Sequence, residues 1–147
     1  MEEEAAIVGT AESSVYDGRN GKQPASKLID SLNVDGTWGS GCAHTKNDQL
    51  EWFSLELEMP KKVTRVQIAS RIDFVDRRRN VRITIGPSKN YDPNEPLCLA
   101  EIPELSGQPG LQDYVCTGDL QTGKFVKISR AGMLNLCEVK VFTLQGI

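Results

Sequence analysis

An all-β, jelly-roll β-sandwich with little helix is what this sequence predicts, on three grounds. Apolar and polar residues alternate with period two through several short segments, the mark of half-buried antiparallel strands. Turn-forming dipeptides separate those segments. Helical character is confined to one short stretch, and many short strands with few helices pack as two facing sheets.

In chain order, residues 1–8 read as a flexible N-terminal tail, and 9–147 as a single domain long enough to bury its own core. Asp17-Gly18, Asn20-Gly21 and Asp35-Gly36 are turn signals. Between them, Pro24 to Asp30 predicts one or two helical turns, with Pro24 suited to the first turn. Phe53, Leu55 and Leu57 alternate with Ser54, Glu56 and Glu58, and Met59-Pro60 predicts a turn after them. Val66 and Ile68 alternate with Arg65, Gln67 and Ala69. Val81, Ile83 and Ile85 alternate with Arg82 and Thr84 and stop at Gly86-Pro87. Thr122-Gly123 reads as a turn before a strand in which Val126 and Ile128 face inward and Lys127 outward. Cys137, Val139 and Val141 form the inward row of the last strand.

Composition narrows the functional classes. Seventeen basic against twenty acidic residues give a net charge of −3, which argues against binding to nucleic acid or to an anionic membrane. Hydrophobic residues at 39% and charged residues at 25% fit an ordered globular chain. No apolar run approaches the ~18 residues of a membrane span, so no membrane insertion is expected. The acidic start Met1-Glu2-Glu3-Glu4 is unlike a secretory leader. A secreted location therefore implies a leader already removed, or a leaderless route.

Cys42, Cys98, Cys116 and Cys137 contain no C-x-x-C pair, and His44 is the one histidine, which disfavours structural zinc. Four well-separated cysteines suit two disulfides in an oxidising compartment. Three pairings exist, and spacing does not choose between them. The preferred one joins Cys98 to Cys116 across a short Pro- and Gly-rich loop, and Cys42 to Cys137, tying an early loop to the last strand.

Catalysis is not expected: the sequence has no nucleophile elbow, no H-E-x-x-H and no phosphate-cradling glycine loop. The unusual segment is Arg71-Ile72-Asp73-Phe74-Val75-Asp76-Arg77-Arg78-Arg79, a loop between two strands. A charge run by itself reads as a solvated turn. Here arginine is used without lysine, although Lys61 and Lys62 are close by, and apolar Phe74 and Val75 sit at the tip. Forked donors beside apolar surface suit a small ligand with adjacent oxygens.

Together with Gly41-Cys42-Ala43-His44-Thr45 and Leu134-Asn135-Leu136-Cys137-Glu138-Val139-Lys140-Val141, that loop resembles the F-type lectins, or fucolectins. Ala25-Ser26-Lys27-Leu28-Ile29-Asp30 and Trp52-Phe53-Ser54-Leu55-Glu56-Leu57 add to the resemblance, which runs from about Ala11 to Phe142. The Trp-containing and final strands point only to the wider discoidin-like, galactose-binding-like group. The histidine with Arg-x-Asp and a later arginine narrows it to fucose binding.

The resemblance implies a non-catalytic lectin that recognises terminal L-fucose on glycans. The family motif maps onto His44, Arg71, Asp73 and Arg78; the family's Asp-Arg dipeptide selects Arg77 as the alternative. Two arginines would grip adjacent hydroxyls, His44 an axial one, and Asp73 would hold one arginine. Phe74 and Val75, where many members carry adjacent cysteines, would receive the methyl and the apolar ring face together with Trp38. The neighbouring arginines should lower the pKa of His44. The family also implies structural calcium, held by side chains of Asp30 and Glu138 and by backbone oxygens of Lys27, Leu32, Gly41 and Cys137. Gly41 replaces a frequent serine. The implied partners are fucosylated glycans, in innate immunity or cell adhesion, with a homo-oligomer or a multi-domain chain supplying avidity. The alternatives are a discoidin-like adhesion module that binds protein or phospholipid through its loop tips, and a glycan-processing enzyme or its detached carbohydrate-binding module.

Overall fold

A computed structural model describes residues 1–18, 21–31 and 41–145. It is an all-β, antiparallel sandwich. Its strands are β1 (Glu2–Glu4), β2 (Ile7–Glu12), β3 (Asp17–Gly18), β4 (Gly21–Lys22), β5 (Ala43–His44), β6 (Leu50–Ser70), β7 (Arg79–Gly86), β8 (Ile102–Glu104), β9 (Gln112–Val115), β10 (Thr122–Ala131) and β11 (Asn135–Leu144). The predicted helical stretch is a 3-10 turn over Ala25–Ile29, with Pro24 extended just before it and Ala25 and Leu28 buried.

One layer pairs β2 and β10 with the first part of β6, then β7 and β8 beyond β10. The other pairs β9 and β11 with the last part of β6, and β1 and β5 with β11. The inward rows of both layers, among them Phe53, Leu55, Val66, Ile68, Ile83, Ile128, Val139 and Val141, meet in one buried core.

Three expectations need correction. Met59-Pro60 does not end a strand: β6 runs through it and passes from one layer to the other. Proline, which has no N–H to donate, is tolerated where ladders change over, and a bulge opposite, between Gly123 and Phe125, takes up the bend. Thr122-Gly123 likewise opens β10 instead of forming a turn before it. The N-terminal residues are not a loose tail, because Glu2, Glu3 and Glu4 pair with Leu144, Thr143 and Phe142. Glu2 and Glu3 also form ion pairs with Arg65 and Lys61, which hold this polar edge strand in place.

Lys127 is the other departure. It lies on the outward row of β10, yet it is fully buried. The segment after β7 folds back over this face; its Ser88 and Asn90 carbonyls accept hydrogen bonds from the ammonium, and the Glu95 carboxylate forms an ion pair with it. A buried cation demands such partners. Both preferred disulfides, Cys42–Cys137 and Cys98–Cys116, are present.

Candidate functional site

The site is assembled where β5, β11 and the loop before β7 meet. His44 ends β5 and lies opposite Asn135, the first residue of β11. On the Thr45–Leu134 side of this pair the two segments are tied again. Thr45 N–H donates to the Leu134 carbonyl at 3.0 Å, and Leu134 N–H to Thr45 Oγ1 at 2.9 Å. The Cys42–Cys137 disulfide lies two residues from both His44 and Asn135 and locks the pair in register.

His44 is 6% exposed, and its Nδ1 lies 2.7 Å from the Thr45 carbonyl. A carbonyl only accepts, so Nδ1 carries the proton and Nε2 of the neutral ring is left as an acceptor. The ring stacks on Tyr16, with centroids 4.4 Å apart. Tyr16 is held in turn by its N–H, which donates to the His44 carbonyl at 2.8 Å. Glu51 anchors both approaching segments. It accepts from the Ser13 and Ser14 hydroxyls, each at 2.7 Å, and from Asp48 N–H at 2.9 Å.

The arginine-rich loop separates its cations by role. Arg71 donates through Nε and Nη2 to the two Asp73 oxygens at 2.8 and 2.7 Å, a bidentate pair that fixes the guanidinium plane. The Arg71 hydrogen bonds hold the Asp73 carboxyl below its ordinary range. Arg71 Nη1 and Arg77 Nη1 both donate to Asn135 Oδ1, at 3.4 and 3.0 Å. Asn135 is fully buried and donates its own amide to the Ala43 carbonyl at 2.9 Å. One buried amide thus orients two like charges side by side. Burial lowers the Arg77 pKa, and Arg71 beside it adds to the effect.

Arg78, the preferred third position of the motif, does not join this group. It is 7% exposed and lies beneath the loop, where Nη1 donates to the Arg71 and Ile72 carbonyls at 3.1 and 2.9 Å. Both arginines lie in the 3-10 turn Val75–Arg78, and that turn, not the phase of β7, directs Arg78 under the loop and Arg77 toward Asn135. The alternative, Arg77, is the arginine that stands beside Arg71.

Phe74 adopts left-handed backbone (φ 59°) and is 51% exposed. A bulky side chain in that conformation is strained. Stacking offsets the strain: the Arg77 and Arg71 guanidinium carbons lie 4.0 and 4.8 Å from its ring centroid. Val75 is 38% exposed at the same tip. Trp38 and Leu32 lie outside the described residues.

The His44 pKa is lowered, as expected from the loop charges. Burial is the largest cause, with Arg77 and Arg71 adding to it against the Thr45 hydrogen bond. Sequence reasoning missed Tyr16 and Asn135. A polar side chain between Leu134 and Leu136 was a usable signal for Asn135; an aromatic in a loop gave none for Tyr16.

Away from this cluster, Asp30 and Glu138 come together although far apart in sequence. Glu138 is 2% exposed and accepts from Ser31 N–H at 3.0 Å. Burial pushes its carboxyl up to about 7, with the Asp30 charge adding to the shift. The Cys42–Cys137 bond places Gly41 near this pair. Among the described residues no group of three or more His, Cys, Asp or Glu side chains gathers as a metal cluster.

No family model matches the chain, and no curated protein does. Solved structures do. A fucolectin from striped bass (Morone saxatilis) serum has a TM-score of 0.76 at 28% identity over 92% of this chain; the match spans 45% of the bass lectin, under half its length. A Streptococcus pneumoniae fucose-binding module has a TM-score of 0.67 at 28% identity, over 96% of this chain and 97% of that one. A family 32 carbohydrate-binding module from C. perfringens, solved with galactose, shares the fold with a TM-score of 0.67 at 20% identity, over 95% of this chain and 99% of the module. The sequence resemblance to the F-type lectins is therefore matched by a resemblance in fold, within the galactose-binding-like jelly rolls.

Proposed function

We propose that this chain is a non-catalytic lectin that binds terminal L-fucose on glycans. The observation that carries the reading is the convergence of His44, Arg71 and Arg77 around buried Asn135. Two guanidiniums held side by side present unused N–H groups to adjacent hydroxyl oxygens. Neutral His44 offers Nε2 to a hydroxyl proton. Tyr16, Phe74 and Val75 supply apolar surface for a methyl group and a ring face. Asp73, Asn135 and Glu51 position these groups and are not proposed to touch the sugar. Fucose binding by two of the similar proteins supports the choice of sugar.

The decisive measurement is retention on immobilised L-fucose with elution by free L-fucose, followed by a glycan array for linkage preference. His44→Ala and Arg77→Ala should each abolish retention. Full retention by either variant would overturn the reading.

Calcium is proposed as a structural ion. The oxygens of Asp30 and Glu138, with carbonyls of Lys27, Gly41 and Cys137 and of Leu32 outside the described residues, would supply the hard, oxygen-only donors that calcium prefers. A bound cation would neutralise two clustered carboxylates, one of them buried. Two disulfides suit an extracellular location.

A further inference from the structure

On the outer face of the layer formed by β2, β6 and β10 lies a cleft of about 150 Å³, lined by Gly9, Ala11, Ser54, Glu56, Lys89 and Phe125. We propose that it is a second carbohydrate-binding site, separate from the first, which takes one neutral hexopyranose ring. The proposal goes beyond the fucose reading and does not depend on it. Glu56 lies five residues along β6 from Glu51, the anchor of the first site, a distance of about 17 Å at the rise of a strand.

Strand register builds the hollow. Gly9, Glu56 and Phe125 stand opposite one another across three strands, and Ala11, Ser54 and Lys127 form the next outward row. Leu55 and Val126, between these rows, point into the core. Gly9 and Ala11 bring almost no side chain to the edge strand, so the space beside Glu56 stays open. A Cβ at Gly9 would lie 2.9 Å from Glu56 Oε1 and displace the carboxylate.

Buried Lys127 fixes one wall. Its ammonium donates to the Ser88 and Asn90 carbonyls, one on each side of Lys89. Lys89 is thereby set over the cleft on a pinned backbone. A wall in place before the ligand arrives lowers the ordering cost of binding.

Ser54 points to a ligand. It is 1% exposed, and its Oγ is buried with no hydrogen-bond partner. A buried hydroxyl in that state costs free energy until something pairs with it. A sugar hydroxyl on the floor of the cleft can do so as donor or acceptor.

Charge selects the class. Glu56 accepts and Lys89 donates, and Glu56 is already paired with Lys124 at 3.0 Å. An anion would meet Glu56 and a cation would meet Lys89. A neutral ring whose hydroxyls both donate and accept satisfies both. Half-buried Phe125 offers apolar surface to a ring face. The volume is well below the ~300 Å³ at which pockets for drug-sized ligands begin, so the cleft holds a single ring.

The test follows the amide resonances of the isotope-labelled full chain during titration with D-galactose, D-glucose, D-mannose and N-acetyl-D-glucosamine. At least one should give saturable shifts at Gly9, Ala11, Ser54 and Lys89, with a dissociation constant on the order of 1–10 mM. Lys89→Ala, at an exposed position, should weaken that binding about threefold or more. Ser54→Ala removes a hydroxyl with no protein partner, so it should weaken binding similarly and leave the melting temperature in place. No saturable shift at this cleft with any of the four sugars overturns the proposal. Affinity unchanged in both variants overturns it too, as does saturation by sodium phosphate or glycine where no sugar acts. Shifts at His44 and Asn135 on adding L-fucose report on the first site separately.

Discussion

Arg77 and Arg78 are neighbours with opposite tasks, and substitution should separate them. Arg77→Ala removes an outward cation and should abolish fucose retention while moving the urea midpoint little. Arg78→Ala leaves the Arg71 and Ile72 carbonyls without donors and should cost about 2–4 kcal/mol in urea unfolding. The reverse pattern would reassign the two. His44 sets the pH dependence. Its folded-state pKa is lowered, so the ring is neutral and Nε2 accepts throughout the neutral range. Fucose affinity, followed by titration calorimetry, should stay flat there and fall on acidification, with a midpoint below the ordinary imidazole value. The unfolded chain takes up this proton first as pH falls, so the same group also withdraws stability on the acid side. At this scale the sequence was partly legible. The resemblance to the F-type lectins, more than residue type alone, pointed to His44, Arg71 and Asp73. Choosing between Arg77 and Arg78 needed the 3-10 turn Val75–Arg78 that holds both, which no pattern in the sequence announces, and Asn135 looked like one more residue of β11.

The elements of the site are joined by covalent stitches of unequal consequence. Cys42–Cys137 spans 95 residues, and removing it should cost about 4–5 kcal/mol by loop entropy. Cys98–Cys116 spans 18 and should cost about 3 kcal/mol. The first bond also holds the His44–Asn135 register, so a Cys42→Ala, Cys137→Ala double variant should lose fucose affinity even where it remains folded. The corresponding Cys98, Cys116 variant should keep its affinity; calorimetry at a temperature well below both melting transitions distinguishes them. Strand existence was readable from alternation at Phe53–Leu57, Val81–Ile85 and Cys137–Val141. Strand ends were less so, because Met59-Pro60 and Thr122-Gly123 carry turn chemistry inside continuous ladders. The burial of Lys127 was unreadable, since it depends on carbonyls some 37 to 39 residues away.

For the molecule as a whole, a structural cation between Asp30 and Glu138 would tie the Ala25–Ile29 turn to β11. Chelation should then lower the melting temperature and excess calcium restore it, by linkage of binding to folding. A transition indifferent to chelator would remove the ion from the account. The two layers also share β6, which pairs with β2 and β10 in one and with β9 and β11 in the other. Neither layer can therefore open without tearing a strand out of its companion. Amide hydrogens along both ends of Leu50–Ser70 should exchange together, at the rate of complete unfolding. The molecule would then lose its sugar pocket all at once, with no half-open form in which the pocket outlives the sandwich.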